Sequence, residues 1–492
     1  MRKTVKKLTA VGLTVTSVLG LVACGSSKGT TSQGTSENKE VTKPDTFTVM
    51  CDGTVVTETN GAEAFYKQLN EATGLDIKWT RPDHASYYDA VANAFNSDDT
   101  MPDVVLLSSD YYALYASNGF LWNMTDAWEH SETKNSGRLI STADNVLSAL
   151  MVNGEDGTKA MYGLSLYRGN GCCTYVKKAW LDKAGIDASK VKDVQMDFNT
   201  YYGYLKQMAQ TMGHYVISSP GFIHPEAPNT NYLPEFYQKA QYTFYKDTSG
   251  KYVDGFAQQE MKEALQRIQT AVNDGVIDKE SVNNSTANAR DKFYSTDPST
   301  ETGVFTYWAG TWANTLKTNL SNKGLDDELI AIKPIKELGA YTERIAPCWC
   351  ITSAAKNPEG IFKYFIDKML DGGDVQMLWT HGAKGTHWDD KAETVTVEKK
   401  EDQPKTYTEG QFHYLPGIEK PDQWQTKNHI DPILSIANFT NGYVGESLIP
   451  EVARENGEFF AENSQVAVPL PMTSELSNNI GDINTARTYV IA

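Results

Sequence analysis

At 492 residues the chain is longer than one ordinary domain, and two are expected. Its formal charge of -17 at pH 7 excludes nucleic acid and anionic lipid headgroups as partners and favours a neutral or cationic ligand. An apolar fraction of 40% with 10 Trp, 26 Tyr and 17 Phe suits a large core, with aromatics left over for a binding surface.

Residues 1–23 have the pattern of a secretory signal. Arg2, Lys3, Lys6 and Lys7 give a cationic start, and Leu8 to Leu21 is mostly apolar and small. That stretch is shorter than the roughly 20 apolar residues of a comfortable bilayer span. Leu21-Val22-Ala23-Cys24 resembles the lipobox of bacterial lipoproteins, where cleavage leaves the cysteine as the new N-terminus and a diacylglyceryl group on its sulfur. The alternative is a plain signal peptide, or an N-terminal membrane helix, with an incidental cysteine. Residues 24–44 are the lipidated cysteine and a tether: Gly25 to Lys43 is rich in Ser, Thr and Gly. The rest of the chain is then expected on the outer face of the cell membrane, attached through the lipid.

The folded part begins near Pro44. Phe47, Val49 and Cys51 alternate as a strand. Ala62, Phe65, Leu69 and Ala72 share one helical face, and Gly74 ends that helix. Leu75, Ile77 and Trp79 form a second strand. Ser86 and Asp89 open a helix carrying Tyr88, Val91, Ala92 and Phe95 on its inner face. Pro102-Asp103 turns into Val104–Leu107, a run apolar enough for a buried parallel strand. Strand–helix–strand–helix–strand predicts an open α/β sheet. Ligands of such sheets sit beyond the carboxyl ends of the strands, here Asp52-Gly53-Thr54 and Ser108 to Tyr112.

Downstream, helical faces are expected at Tyr201–Met212, Met261–Val272, Trp312–Leu320 and, opened by Asn357-Pro358, Ile361–Met369. Strands are expected at Tyr175-Val176, Val304–Tyr307, Ile330–Ile332 and Trp349–Thr352. Thr394–Lys399 pairs with residues near Lys405–Thr408 as a surface hairpin. Asp247–Asp254 lacks the spacing of a calcium loop and fits a plain hairpin. Five cysteines follow Cys24: Cys51, Cys172, Cys173, Cys348 and Cys350. Their odd number and spacing do not suit a disulfide framework or zinc, so they are expected to be buried thiols. No phosphate loop, nucleophile elbow, metal-ligand spacing or cofactor motif is present, so neither a cofactor, a metal nor a catalytic residue is expected.

Three passages carry a resemblance. Met101-Pro102-Asp103-Val104-Val105, with Gly119-Phe120-Leu121 and Met124-Thr125, resembles a passage of the extracellular solute-binding proteins of bacterial ABC importers. Met161-Tyr162-Gly163-Leu164, Arg168 and Tyr175–Ile186 resemble a second, with Ser165 in place of the usual proline. Ile351–Tyr364 and Gly382–Trp388 are similar to a third, found in the large carbohydrate-binding lipoproteins (family 1-like) of Gram-positive bacteria. The resemblance implies an α/β, two-lobed periplasmic-binding-protein-like fold of type II kind, with hinge crossovers and a ligand cleft between lobes. By analogy, residues 45–165 plus 303–352 form one lobe and 168–300 plus 355–492 the other. Family members usually continue past Asp482–Val490 with a further helix or two, so a truncated or shortened last lobe is expected. The implied function is capture of an oligosaccharide and its delivery to the permease subunits of an ABC transporter, by a monomer with no enzymatic activity. A surface glycoside hydrolase or lyase, a receptor lipoprotein, and a binding protein for a peptide or other small solute are the alternatives.

Sugar rings have apolar faces and hydroxyl edges, so a sugar cleft needs aromatic platforms with carboxylates, amides or arginines around them. Tyr307, Trp308 and Trp312 concentrate platforms where a strand gives way to a helix; the alternative for Trp312 is a first core position of that helix. Asp110, Tyr111 and Tyr112 follow the buried strand and are either acceptor plus platforms, or a cap with two packed tyrosines. Arg168 is either a donor to the ligand or half of a salt bridge. Trp349, Trp379, His381 and Trp388 complete the candidates, each with a core position as its alternative. The Ser218–Leu233 loop, with His224 and Asn229, is a candidate cap over the cleft.

Overall fold

The computed structural model describes residues 40–53, 62–83, 86–141, 143–165, 168–222, 231–325, 327–395, 405–415, 440, 449–467, 479, 482–483, 485–487 and 489–490. Cys24, residues 25–39 of the tether, His224 and Asn229 lie outside these.

In chain order the elements that position the site are β1 (Thr46–Met50), α1 (Ala62–Thr73), β2 (Asp76–Thr80), α2 (Tyr87–Ala94), β3 (Val104–Leu107) and α3 (Ser109–Ser117). They continue with β4 (Cys172–Lys177), α4 (Phe198–Met212), α5 (Pro234–Tyr237), α6 (Gln259–Asn273), α7 (Thr286–Phe293), β5 (Val304–Trp308) and α8 (Thr311–Asn322). The last are β6 (Leu329–Ala331), β7 (Tyr341–Glu343), β8 (Cys348–Ile351), α9 (Asp374–His381), α10 (Glu451–Glu462) and β9 (Ser464–Val466).

The sequence patterns account for most of these. β1 buries Phe47 and Val49 and exposes Thr46 and Thr48, as alternation requires. All four residues of β3 are buried, as in a strand covered on both faces of its sheet. Gly213 ends α4 in the left-handed conformation (φ +79°) that glycine adopts without strain. Asn357 caps the Pro358–Ile361 helix by accepting from the Gly360 amide at 3.0 Å. Glu393–Val395 and Lys405–Tyr407 pair as the expected hairpin, and Phe244–Lys246 with Tyr252–Asp254 form the other. On α2 the inner face is set one residue earlier than expected: Tyr87 is buried with Val91 and Ala94, whereas Tyr88 is half-exposed.

Two sheets organise two lobes. The first has the order β8-β3-β1-β2, with β1 parallel to β2 and β3 and β8 antiparallel to β3. The second has the order β6-β4-β5, antiparallel throughout. This pairing redistributes the chain relative to the expected boundaries. Residues 304–331 belong to the second sheet and its cores, not to the first lobe. Residues 358–388 pack into the first core, through Phe362, Phe365, Met369 and Trp379, not into the second lobe. The physical reason is register: Val304–Trp308 aligns residue for residue with Val176–Cys172, and only Cys348–Ile351 returns to pair with β3.

The crossovers run side by side. Leu164 and Trp349 exchange both backbone bonds at 3.0 Å, Ser165 Oγ donates to the Ala346 carbonyl at 3.0 Å, and the Arg344 amide donates to the Asn170 carbonyl at 3.0 Å. The strands approach so closely that a Cβ on Gly169 would lie 1.7 Å from the Arg344 oxygen, so no side chain fits there. A third connection is α10: Ala453 joins the first core and Phe460 the core of the second lobe under β5. No helix among the described residues is long and apolar enough to cross a membrane.

The five cysteines after Cys24 are buried, and none of them forms a disulfide among the described residues. The two close pairs sit on different sheets, Cys172 and Cys173 on β4, Cys348 and Cys350 on β8. Burial pushes the thiols of Cys51, Cys173 and Cys348 up to about 12. They are protonated at neutral pH and pack as small hydrophobes.

Candidate functional site

The crossovers leave the first lobe beside Leu107, the carboxyl end of β3 that pairs with Cys348. They enter the second beside Cys172, which pairs with Trp308 at the end of β5. The ends of both sheets therefore meet the space at the crossovers, where an α/β sheet places its ligand.

The first wall is built after β3. Ser108 leads into α3, whose first turn holds Asp110 and Tyr111, both half-buried. The Tyr111 ring stacks on Tyr88 at 3.9 Å and 7° between planes, and the Tyr88 hydroxyl accepts from the Ser108 amide at 2.7 Å. This amide bond fixes one ring and the stack fixes the other, giving a flat platform. Burial pushes the Asp110 carboxyl up from its ordinary value, partly offset by a hydrogen bond from Ser109. The next residue turns inward: Tyr112 is fully buried, donates its hydroxyl to the Leu150 carbonyl and accepts from the Tyr162 amide at 3.1 Å. It holds the wall in place and does not line it.

The second wall is built where β5 ends. Gly310, at φ +64°, makes the sharp entry to α8. Asn456 of α10 accepts from the Gly310 amide at 2.6 Å and from the Tyr175 hydroxyl at 2.9 Å, while Asn170 donates to the Ala309 carbonyl at 2.9 Å. So clamped, the turn leaves Trp312 half-buried, while Trp308 before it is buried in the core. The Arg344 guanidinium lies 4.9 Å from the Trp308 ring centre. Half-buried Trp312 meets Tyr307 edge-to-face at 5.2 Å, and Arg290 of α7 covers both rings, 5.8 Å from Tyr307 and 5.9 Å from Trp312. Tyr232 stacks on Tyr307 at 6.3 Å. A small recess of about 50 Å³ lies at the start of β4, bordered by Cys172, Asn231, Gln238, Gln241 and Thr342, all neutral.

The structure thus brings Asp110 and Tyr111 to one wall and Trp312 to the other, with Tyr307 and Trp308 buried in the core beneath it. It withdraws the remaining candidates. Arg168 is buried in a two-pronged pair with Glu343, its Nε 2.9 and 3.1 Å from the two carboxylate oxygens. Trp349 is packed between Phe365 and Trp379, at 5.8 and 5.7 Å. Trp379 also meets Phe65 at 4.9 Å. His381 is fully buried against the Tyr414 hydroxyl, and the Trp388 indole donates to the Gly382 carbonyl at 2.8 Å. The three tryptophans are core of the first lobe, and His381 is a buried polar group. Sequence reasoning missed Tyr88, Tyr232, Arg290, Arg344 and Asn456. Only Tyr88 left a signal, in a Tyr87-Tyr88 pair of which one member has to face outward.

No family model and no curated protein matches the sequence. Solved structures do match in fold. An HMO-binding, ABC-transporter-associated solute-binding protein of Bifidobacterium longum infantis superposes with a TM-score of 0.55 at 13% identity, over 91% of each chain. An extracellular solute-binding protein family 1 structure from Alicyclobacillus acidocaldarius gives 0.54 at 14%, over 92% of this chain and 94% of that one. The N-glycan transport solute-binding protein of Streptococcus pneumoniae gives 0.51 at 17%, over 90% and 88%. The chain therefore has the two-lobed α/β fold of the extracellular solute-binding proteins.

Proposed function

We propose that the protein is a lipid-anchored solute-binding protein that captures a carbohydrate between its lobes and delivers it to an ABC permease. The observation that carries this is the pairing of aromatic platforms with polar groups on two walls beside the crossovers: Tyr88–Tyr111 with Asp110, and Trp312 with Arg290. Flat rings match the apolar faces of a sugar, and the half-buried polar groups match its hydroxyl edge. The proteins of like fold named above are described as binding HMO or transporting N-glycan, which supports the same ligand class. Ligand that touches both walls stabilises the closed arrangement by its extra affinity for it.

A calorimetric screen of the full chain against a glycan panel tests this. At least one oligosaccharide is expected to bind, with Trp312→Ala and Tyr111→Ala each weakening it by about tenfold or more. If neither substitution weakens binding, the walls are not the site. If the glycan is cleaved during the titration, the protein is an enzyme and the binding-protein proposal falls.

The anchor rests on the Leu21–Cys24 passage. A diacyl chain, at about 0.8 kcal/mol per buried methylene, holds a protein at the membrane, and the tether keeps it concentrated near a permease. Cys24→Ala protein is expected in the culture medium in place of the membrane fraction; unchanged membrane retention would remove the anchor.

A further inference from the structure

Building on the carbohydrate proposal, we infer that the recess at the start of β4 is a subsite for a small neutral amide, the acetamido substituent of an N-acetylated sugar residue. The recess lies where the two crossovers enter the second lobe. Cys172, which borders it, opens β4 directly after residues 168–171. Thr342, which also borders it, is on β7, the strand that runs into Glu343 and Arg344. These segments approach so closely that a Cβ on Gly171 would lie 2.2 Å from the Thr342 oxygen.

One bordering residue is held against its own preference. Gln238 is half-buried and has φ +56° and ψ -113°. The Ala240 amide donates to the Tyr237 carbonyl at 2.9 Å, so residues 237–240 form a type II′ turn with Gln238 at the position that favours glycine. Among the described residues the other non-glycine with a positive φ is Asn170, at +61°. Its side chain offsets the strain by donating to the Ala309 carbonyl at 2.9 Å and accepting from the Gly171 amide at 2.8 Å. The Gln238 carboxamide makes no hydrogen bond to any described residue. A strained residue with an unused polar end, on the border of a recess, points to a ligand.

The chemistry of the recess narrows that ligand. Its volume is about 50 Å³, and a single water takes roughly 10–15 Å³ on the same scale. It therefore holds about four non-hydrogen atoms, the size of an acetamido group. No bordering residue is charged, so a carboxylate, phosphate or ammonium would be left there without a counter-charge. The net charge of -17 likewise favours a ligand without negative charge. Gln241 and Thr342 join Gln238 as bordering residues whose side chains make no hydrogen bond to a described residue. Carboxamides both donate and accept, which is what the C=O and N–H of an amide require. Pro234, Ala240 and Leu338 offer the methyl group an apolar contact. A bare hydroxyl would fill a fraction of the space and leave that apolar side uncovered.

Calorimetry on the full chain compares pairs of probes that differ in carrying an acetamido group or a hydroxyl: chitotetraose against cellotetraose, and N-acetyllactosamine against lactose. At least one acetamido member is expected to bind about tenfold or more tightly than its partner. The preference should be lost in Gln238→Gly and in Gln241→Ala. Because glycine suits the turn, Gln238→Gly should melt no lower than wild type while losing the preference; a residue kept for folding would lose stability instead. Hydroxyl probes that bind as tightly as their acetamido partners overturn this inference and leave the carbohydrate proposal standing. So do a preference that survives both substitutions, a Gln238→Gly chain that melts lower, and binding of other glycans with none of either acetamido probe. Failure of every glycan to bind removes the carbohydrate proposal, and this inference with it.

Discussion

Replacing Arg168 by methionine is expected to destabilise the protein by about 3–5 kcal/mol, the cost of leaving a buried charge without its partner. The Glu343 carboxylate is fully buried at the crossover, and Arg168 satisfies both of its oxygens through a fork geometry that lysine lacks. Glu343 also sits on β7, which pairs in parallel with β9. The pair thereby ties one crossover, residues 168–171, to the other and to the segment that follows α10. Urea denaturation reads the loss as a lower midpoint. The double variant Arg168→Met, Glu343→Leu removes both charges and is expected to regain most of the stability, since an apolar pair of similar volume has nothing to desolvate. If the single variant unfolds at the wild-type midpoint, or the double variant is no better than the single, the pair does not hold the crossover.

The same residue shows where sequence stops being informative. Arg168 was legible as a polar residue near a crossover, but its partner lies 175 positions away. No local pattern connects the two. Strands and helices were readable because period-2 and period-3.6 burial is local: Phe47 and Val49, Ala62 and Phe65, and the whole of Val104–Leu107 are buried as their spacing requires. Lobe membership was not, because it depends on which strand pairs with which. Val304–Trp308 has the same apolar character as the strands of the first lobe, and only its register with β4 assigns it. Among aromatics the ambiguity is chemical. Trp312 and Trp379 are the same side chain, one half-exposed at a strand-end turn and the other enclosed by Phe65, Trp349 and Phe365. The sequence made both of them candidates; clustering with other aromatics and histidines does not mark a site, since clusters are what cores are made of.

Replacing Glu235 by glutamine is expected to make the stability of the protein less dependent on pH, with a difference of about 3 kcal/mol developing between pH 4.5 and 8. Glu235 sits on α5, 1% exposed, in a pocket of neutral groups. Its Oε1 accepts from the Thr174 hydroxyl at 2.8 Å and from the Tyr341 hydroxyl at 3.3 Å; Tyr201 and Cys173 also face it. Desolvation pushes its carboxyl up from 4.5 to about 7, against the opposing pull of those two hydrogen bonds. Because the folded value is raised, the folded state binds the proton more tightly than the unfolded chain. The stability this confers is fully present below the unfolded value of 4.5 and is lost as pH rises through about 7. Glutamine is neutral throughout and has no such loss. Wild type should therefore fall relative to Glu235→Gln across that window and run parallel to it below pH 4.5 and above pH 8. Every other titrating group is common to both proteins and cancels in the difference. Denaturation midpoints measured in steps from pH 4 to 8.5 give the two curves; curves that stay parallel throughout would show that Glu235 has its ordinary acidity in the folded protein. Because Tyr341 belongs to β7, which leads directly into the crossover at Glu343 and Arg344, the proton on Glu235 also bears on the strand that joins the lobes. Ionisation leaves an uncompensated charge against β7, so the destabilisation falls first on the crossover side of the second lobe.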